Sequence, residues 1–146
     1  MSALEVALAL LAAFEAEDFP AAQELIAEDF SVTDHTSGRR IDRAGYLAAH
    51  RELAGAFGQL HREILDAQDE PPDEAVVTLR LVALNDRPVH LPTIGVDLET
   101  PTGRVLRTVP HVDHFTVRDG RVLTYRSEQP PGSGLRGLLD QIRQET

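Results

Sequence analysis

Two aspartates and one histidine occupy positions where apolar residues surround them on predicted strands. His111, Asp113 and Phe115 alternate onto one face of a strand, and Asp34 shares a strand face with Val32. A carboxylate on an apolar face is costly unless it is paired or protonated, and burial can make it a competent base near neutral pH. The pattern favours acid–base chemistry by Asp34 and Asp113, with His111 orienting the substrate or sharing a proton.

Two aspartates in one pocket could divide the work of enolisation. Their pKa values would separate, so that the ionised carboxylate removes a proton next to a carbonyl and the neutral one donates a hydrogen bond to the enolate. The structural alternatives stay open at this point. Asp34 would cap the next loop if its strand ends at Thr33, and Asp113 would form a surface ion pair with Arg107 or Arg126.

Metal and nucleophilic sites are disfavoured. His111, Asp113 and His90 have the chemistry of metal ligands, but no paired-histidine spacing such as HxH or HExxH occurs, so we expect no metal and no cofactor. There is no cysteine, and none of the five serines lies in a nucleophile-elbow context. Schiff-base chemistry is excluded because all 14 basic residues are arginine.

Length and charge exclude further classes. The 146 residues fit one domain, and the net charge of −10 argues against binding to nucleic acid or to an anionic membrane. The longest apolar run, Val6 to Phe14, is too short to span a bilayer, and the first residues do not resemble a signal peptide. We therefore expect a cytoplasmic protein.

The first part of the chain predicts helices. Apolar residues recur at helical spacing over residues 3–16, and Ser2 can cap that helix. Asp18 is a plausible cap for a short second helix, and Asp42 for a third over residues 43–57. Short strands and turns should follow. The predicted strands are Phe30–His35 between the helices, then Leu60–Ala67, Ala75–Leu84, Val89–Glu99, Arg104–Val117 bent at Pro110, and Arg121–Glu128.

This order predicts an α+β domain in which helices pack inside a strongly curved, mostly antiparallel sheet. Such a sheet forms a cone with an open end, which suits a small apolar ligand. We assign residues 1–130 to this domain and residues 131–146 to a C-terminal helical tail. The residues predicted to line the ligand pocket are Phe14, Val32, Tyr46, Phe57 and Phe115.

Two stretches of sequence carry a family resemblance. Ala12–Phe19 with Ile26–Asp34, and Val112–Val122, resemble the nuclear transport factor 2-like superfamily of cone-shaped α+β barrels. Within it the chain is similar to SnoaL-like polyketide cyclases and ketosteroid isomerases. The resemblance covers about residues 3–128.

The resemblance implies roles for individual residues. Asp34 falls where the isomerases have their proton-abstracting aspartate, and Asp113 where they have a protonated aspartate and the cyclases an acid/base aspartate. Leu10 stands where the isomerases carry an oxyanion tyrosine. Some epoxide-opening members use a second carboxylate, which Glu63 or Asp66 could imitate beside Asp34.

The leading hypothesis is a cofactor-free isomerase or cyclase acting on a small hydrophobic carbonyl compound, such as a polyketide, steroid or terpenoid. The alternatives are a non-catalytic module that binds small molecules or dimerises, and an epoxide hydrolase or cyclase. We expect a homodimer in each case, because the outer sheet face carries Val, Thr and His side chains suited to isologous packing.

Overall fold

The computed structural model describes residues 1–34 and 38–144. Helices come first in the chain, then a meander of strands, then a last helix. The helices are α1 (Ala3–Glu15), α2 (Phe19–Glu24), α3 (Arg43–Ala56) and α4 (Gly134–Gln144). The strands are β1 (Ser31–Thr33), β2 (Arg40–Asp42), β3 (Gln59–Glu70), β4 (Glu74–Leu84), β5 (Val89–Leu91), β6 (Val96–Leu98), β7 (Val105–Arg107), β8 (His111–Arg118) and β9 (Arg121–Glu128).

Each of the first three helices begins at the residue predicted to cap it. Ser2 accepts a hydrogen bond from the Glu5 amide, and Glu5 accepts one from the Ser2 amide in return. The side chain of Asp18 accepts a hydrogen bond at the start of α2, and that of Asp42 does so at the start of α3. These caps fix where the helices enter the fold.

One antiparallel sheet of five strands carries the main body of the fold. Its order is β3-β4-β8-β9, and β7 pairs with the upper part of β4. The long strand predicted over residues 104–117 is divided in two, because the chain leaves the ladder between Arg107 and His111, where Pro110 has no amide hydrogen to donate. The predicted α+β fold, with helices packed against a mostly antiparallel sheet, is confirmed; in the described part of the chain the sheet does not close on itself between β3 and β9.

Two further differences from the predicted elements are local. The stretch Val89–Glu99 is a small hairpin of β5 and β6 joined by a 3₁₀ turn, in which Gly95 adopts a positive φ of 68°. The short strand β2, which was not among the predicted strands, pairs with β1. No helix among the described residues is long and apolar enough to cross a membrane. The cytoplasmic location stays a prediction.

The core has two parts. In the first cluster, α1 and α3 pack on the inner face of β4, β8 and β9, around Leu10, Phe14 and Phe115. In the second, α4 turns back onto the same chain and places Leu138 and Ile142 against Leu81, at the other end of the sheet. Because α4 is amphipathic, burying this face completes the cluster that β5 and β7 begin.

Candidate active site

Asp113 lies in the middle of β8 with its carboxylate on the inner face of the sheet. It exposes only 9 % of its surface and sits between the buried residues His111 and Phe115. The Ser127 hydroxyl on β9, its cross-strand partner, donates a hydrogen bond of 2.6 Å to Oδ1. The surface ion pair with an arginine is therefore not what holds Asp113, since its polar neighbours are Ser127 and a histidine.

His111 is the histidine beside Asp113. Its Nε2 lies 3.6 Å from Asp113 Oδ2, which is within ion-pair reach and longer than a normal hydrogen bond. Its Nδ1 is buried and has no hydrogen-bond partner among the described residues. Because buried polar atoms nearly always have a partner, this nitrogen needs an explanation.

Asp34 lies just beyond the end of β1 and is half-buried. Its amide donates to the Arg39 carbonyl, and its own carbonyl accepts from the Gly38 amide, so the chain turns here. The predicted strand to residue 35 thus ends at Thr33, and His35 lies outside the described residues. Burial is the main reason why the pKa of Tyr125 is raised, and the charge of Asp34 contributes. The Asp34 carboxylate is therefore within electrostatic reach of Tyr125.

Six rings form a connected cluster in front of Asp113, here called the ring cluster. Tyr46 of α3 is at its centre, with ring centroids 5.6 Å from Phe14, 4.8 Å from Phe30 and 5.5 Å from Tyr125. Edge-to-face and tilted contacts of this kind add to the stabilisation that burial gives. The members of the ring cluster are Phe14, Phe30, Tyr46, His50, Phe115 and Tyr125, and Phe19 of α2 contacts the cluster through Phe14, with ring centroids 6.4 Å apart.

Both tyrosine hydroxyls of the ring cluster stay protonated over a wide pH range. Burial raises the pKa of Tyr46 well above its usual value, and the charges of Tyr125 and Asp113 add to this. Burial likewise raises the pKa of Tyr125, and the charges of Asp113 and Asp34 contribute. A phenol that resists ionisation remains a hydrogen-bond donor, which is what a developing enolate needs.

A second polar group, not predicted from the sequence, lies at the opposite side of the ring cluster. Arg62 of β3 exposes 8 % of its surface, and its guanidinium carbon lies 5.6 Å from the centroid of the Phe14 ring. Glu15 accepts from the Arg62 amide at 2.9 Å and faces the guanidinium at 3.6 Å. The alternation Leu60, Arg62 along β3 could have indicated an inward charge, by the same reasoning applied to Asp113.

His50 of α3 belongs to this second group. Its ring stacks on Phe14 at 3.9 Å, and its Nδ1 lies 3.2 Å from Arg62 Nη2. Burial and the Arg62 charge lower the pKa of His50 to about 3. The imidazole is therefore neutral, and because Arg62 donates to Nδ1, the ring proton is on Nε2. The signal was present in the sequence, since His50 falls on the apolar side of α3 with Tyr46.

The five residues predicted to contact substrate are not all together. Phe14, Tyr46 and Phe115 are buried in the ring cluster, and Val32 packs half-buried against the same core. Phe57 lies in the second core cluster instead, beside a cavity of about 40 Å³ that Arg62 also lines. A space of this size has room for no more than a few water molecules and not for a substrate. The substrate contacts of all five stay predictions.

The other charged candidates face outward. Glu63 forms an ion pair with Arg80 at 3.0 Å on the outer side of the sheet, and Asp66 is exposed beside Gln68. Neither carboxylate lies with Asp34, so an epoxide-opening pair from β3 has no support in this geometry. His114 also faces outward, as predicted, and contacts Glu128 at 3.1 Å.

One group of side chains could hold a cation. His90, Asp97 and Glu99 are exposed on the β5–β6 hairpin, and one ligand atom from each lies within 4.8 Å of the others. The group is separate from His111 and Asp113, with which the sequence suggested His90 could combine. Exposed carboxylates beside a histidine are common without an ion, so the expectation of no metal is not altered.

Comparisons with known proteins agree with this architecture. A family model described as a SnoaL-like domain matches residues 7–125. The chain is similar in fold to a candidate SnoaL-like polyketide cyclase from Jannaschia sp. CCS1, with a TM-score of 0.73, 24 % identity, and coverage of 96 % of this chain and 90 % of that one.

Two further structures are similar in fold. A candidate polyketide cyclase, IdmH from Streptomyces antibioticus, has a TM-score of 0.71 and 21 % identity, covering 87 % of this chain and 91 % of its own. An epoxide hydrolase from M. tuberculosis has a TM-score of 0.66 and 16 % identity, covering 94 % and 90 %. No curated protein matches the sequence of this chain.

Proposed function

Since the chain belongs to the SnoaL-like domain family of the nuclear transport factor 2-like superfamily, we propose that it is an acid–base enzyme acting on a small hydrophobic carbonyl compound. The reaction class is removal and return of a proton next to a carbonyl, leading to isomerisation or to ring closure of a polyketide-like or terpenoid substrate. The enzyme would need no cofactor, because side chains alone supply the base and the enolate donor.

One observation carries the proposal. The carboxylate of Asp113 and the imidazole of His111 lie on the inner face of the sheet beside the ring cluster. Asp113 exposes 9 % of its surface and His111 6 %. Burying such a pair in a core is costly and adds little stability compared with apolar residues of the same volume. Buried ionisable side chains are common at catalytic sites, and the adjacent apolar rings suit an apolar substrate.

The remaining residues take supporting roles. Tyr46 and Tyr125 keep their hydroxyl protons and can donate to the oxygen of an enolate. They offer a substitute for the oxyanion tyrosine, whose place in α1 is taken by the buried Leu10. Asp34 supplies the second carboxylate, within electrostatic reach of Tyr125.

Proton exchange tests the proposal without knowledge of the natural product. The probe is 2-tetralone, a small bicyclic ketone, incubated with the full chain in D2O while NMR follows deuterium entering the carbons next to the carbonyl. We expect exchange above the buffer rate, and a loss of about 100-fold or more in Asp113→Asn. Exchange at the buffer rate, with ketone binding detected by ligand NMR, would contradict catalysis.

A binding role without catalysis is the second candidate. It is favoured by one observation: the ring cluster is tightly packed, with Phe115 exposing 1 % and Phe30 2 % of their surfaces. Because the ring cluster fills the space in front of the sheet, a ligand must displace side chains before it reaches Asp113. Ketone binding without exchange is the result that this candidate predicts.

We also propose that two copies pair through the outer face of the sheet, where Val76, Thr78 and His114 are half-buried. These side chains suit a self-complementary contact. Analytical ultracentrifugation should find a dimer that Val76→Asp converts to monomer. A monomeric wild-type chain at tens of micromolar would contradict this part of the proposal.

A further inference from the structure

The unpartnered nitrogen of His111 is the starting point. Nδ1 is buried and without a hydrogen-bond partner in the described ranges 1–34 and 38–144, while Nε2 of the same ring faces the Asp113 carboxylate at 3.6 Å. An unsatisfied buried polar atom destabilises a fold, so one that persists calls for a functional explanation.

Two further side chains, Ser127 and Gln129, fix the position of the Asp113 carboxylate through hydrogen bonds. Gln129 donates its side-chain amide to Ser127 Oγ at 3.0 Å, and Ser127 donates its hydroxyl proton to Asp113 Oδ1 at 2.6 Å. Since the hydroxyl accepts from Gln129, its own proton is directed at the carboxylate. One oxygen of Asp113 thus faces the Ser127 hydroxyl and the other faces His111, which is an arrangement for a carboxylate that positions a ring.

We infer that His111 Nδ1 is the atom that exchanges a proton with the ligand, and that Asp113 is a positioning residue that acts through His111. This inference rests on the proposed acid–base function and reassigns the roles within it. A carboxylate holding one nitrogen of an imidazole leaves the other nitrogen as the base, as in hydrolase triads.

In the proposed step, one proton moves from the ligand to His111 and then returns to the ligand. The Nδ1 lone pair takes a proton from the carbon next to the ligand's carbonyl, and the electrons of that C–H bond form the enolate double bond. The carbonyl π electrons move to the oxygen, which accepts a hydrogen bond from a neutral tyrosine hydroxyl. The imidazolium keeps its Nε2 proton against Asp113, and Nδ1 then returns its proton to the ligand.

Ring-nitrogen NMR tests the arrangement directly. In the full ¹⁵N-labelled chain at a pH where imidazoles are neutral, His111 should carry its proton on Nε2 and leave Nδ1 unprotonated. Spectra of His111→Asn assign the signals among the six histidines. In Asp113→Asn the ratio of the two tautomers should shift several-fold toward Nδ1–H. A proton on Nδ1 in the wild type, or a ratio that Asp113→Asn leaves unchanged, would overturn the inference.

Chemical rescue tests the role. His111→Ala should lower deuterium exchange into 2-tetralone at least about 100-fold, and added imidazole should restore it about 10-fold or more. Imidazole should not restore exchange in Asp113→Ala, where the native ring is still present. The surface variant His90→Asn, on the β5–β6 hairpin, should exchange at the wild-type rate.

The outcomes separate the two claims. If the wild type exchanges no deuterium while the tautomer is as expected, the proposed function fails and the Asp113–His111 arrangement stands. If the wild type exchanges deuterium and His111→Ala does so equally well, the enzyme stands and the assignment of the base to His111 is wrong.

Discussion

Nη2 of Arg62 lies 3.2 Å from Nδ1 of His50, on the side of the ring cluster opposite Asp113. The contact joins β3 to α3 across the Phe14 ring, on which His50 stacks. Burial lowers the pKa of His50 and the Arg62 charge lowers it further, so the imidazole is neutral.

The neutral His50 should make stability depend on pH. Its pKa is about 3 when folded against an ordinary value of 6.5, so between these values the unfolded chain binds a proton that the folded chain does not. The free energy of unfolding should therefore fall as pH falls from about 6.5 toward 3, by up to about 1.4 kcal/mol per pH unit from this group. Urea unfolding of wild type and His50→Asn at several pH values measures the difference.

His90 provides a control of opposite sign. The hydrogen bond that His90 donates to the Asp97 carboxylate raises the pKa of His90, so its stabilisation is present below pH 6.5 and is lost as pH rises through the folded value. His90→Asn should change the pH profile in the direction opposite to His50→Asn, and by less, since His90 is exposed. Equal profiles for wild type and His50→Asn would show that His50 titrates normally.

The two tyrosines should not ionise while the protein is folded. With two Tyr and no Trp in the chain, absorbance near 295 nm reports these hydroxyls alone. Both pKa values are raised in the folded state, so their stabilising contribution is present below about pH 10 and lost above it. Tyrosinate absorbance should therefore appear together with loss of circular dichroism; an earlier step near pH 10 with the fold intact would contradict this.

Two helical glycines should respond oppositely to alanine. A Cβ on Gly137 of α4 would meet the Gly132 carbonyl oxygen at 2.2 Å, whereas a Cβ on Gly55 of α3 would meet nothing within 4 Å. Gly137→Ala should destabilise by about 2 kcal/mol or more because backbone must move. Gly55→Ala should stabilise by up to about 1 kcal/mol. Thermal unfolding compares them, and similar shifts would mean that α4 is not seated as described.

Two arginines in ion pairs should differ in their importance. Arg62→Met removes a buried charge facing Glu15 and should cost about 3 kcal/mol or more. Arg80→Met breaks a pair with Glu63 in which both side chains are about one-third exposed, and should cost much less than Arg62→Met. Chemical denaturation of both variants tests the ranking, and equal losses would place Arg62 nearer to solvent.

The sequence predicts most of the fold because its local signals are strong and agree. Ser2, Asp18 and Asp42 are side-chain caps whose effect needs no distant partner. The division of the strand at Pro110 is different in kind. Proline predicts a bend, but whether the chain leaves the ladder depends on how β7 and β8 each pair with β4.

The site was predictable only where polarity contradicted its surroundings. Asp113 and His111 alternate with apolar residues on a strand, and that contrast identified them. Ser127 and Gln129 gave no such signal, because a serine or glutamine near a strand end is ordinary, and their importance comes from the register that sets Ser127 opposite Asp113. The neutrality of His50 depends in the same way on a strand 12 residues further along the chain.

The bridge between Ile26 and Val122 has a consequence for how the chain is made. Ile26 follows α2 and pairs in parallel with Val122 of β9, which is synthesised about 100 residues later. At about 5–20 residues per second, Ile26 waits roughly 5–20 seconds for this partner. The segment after α2 is therefore joined to the sheet only when β9 has left the ribosome, although α1 can pack earlier on β3 and β4.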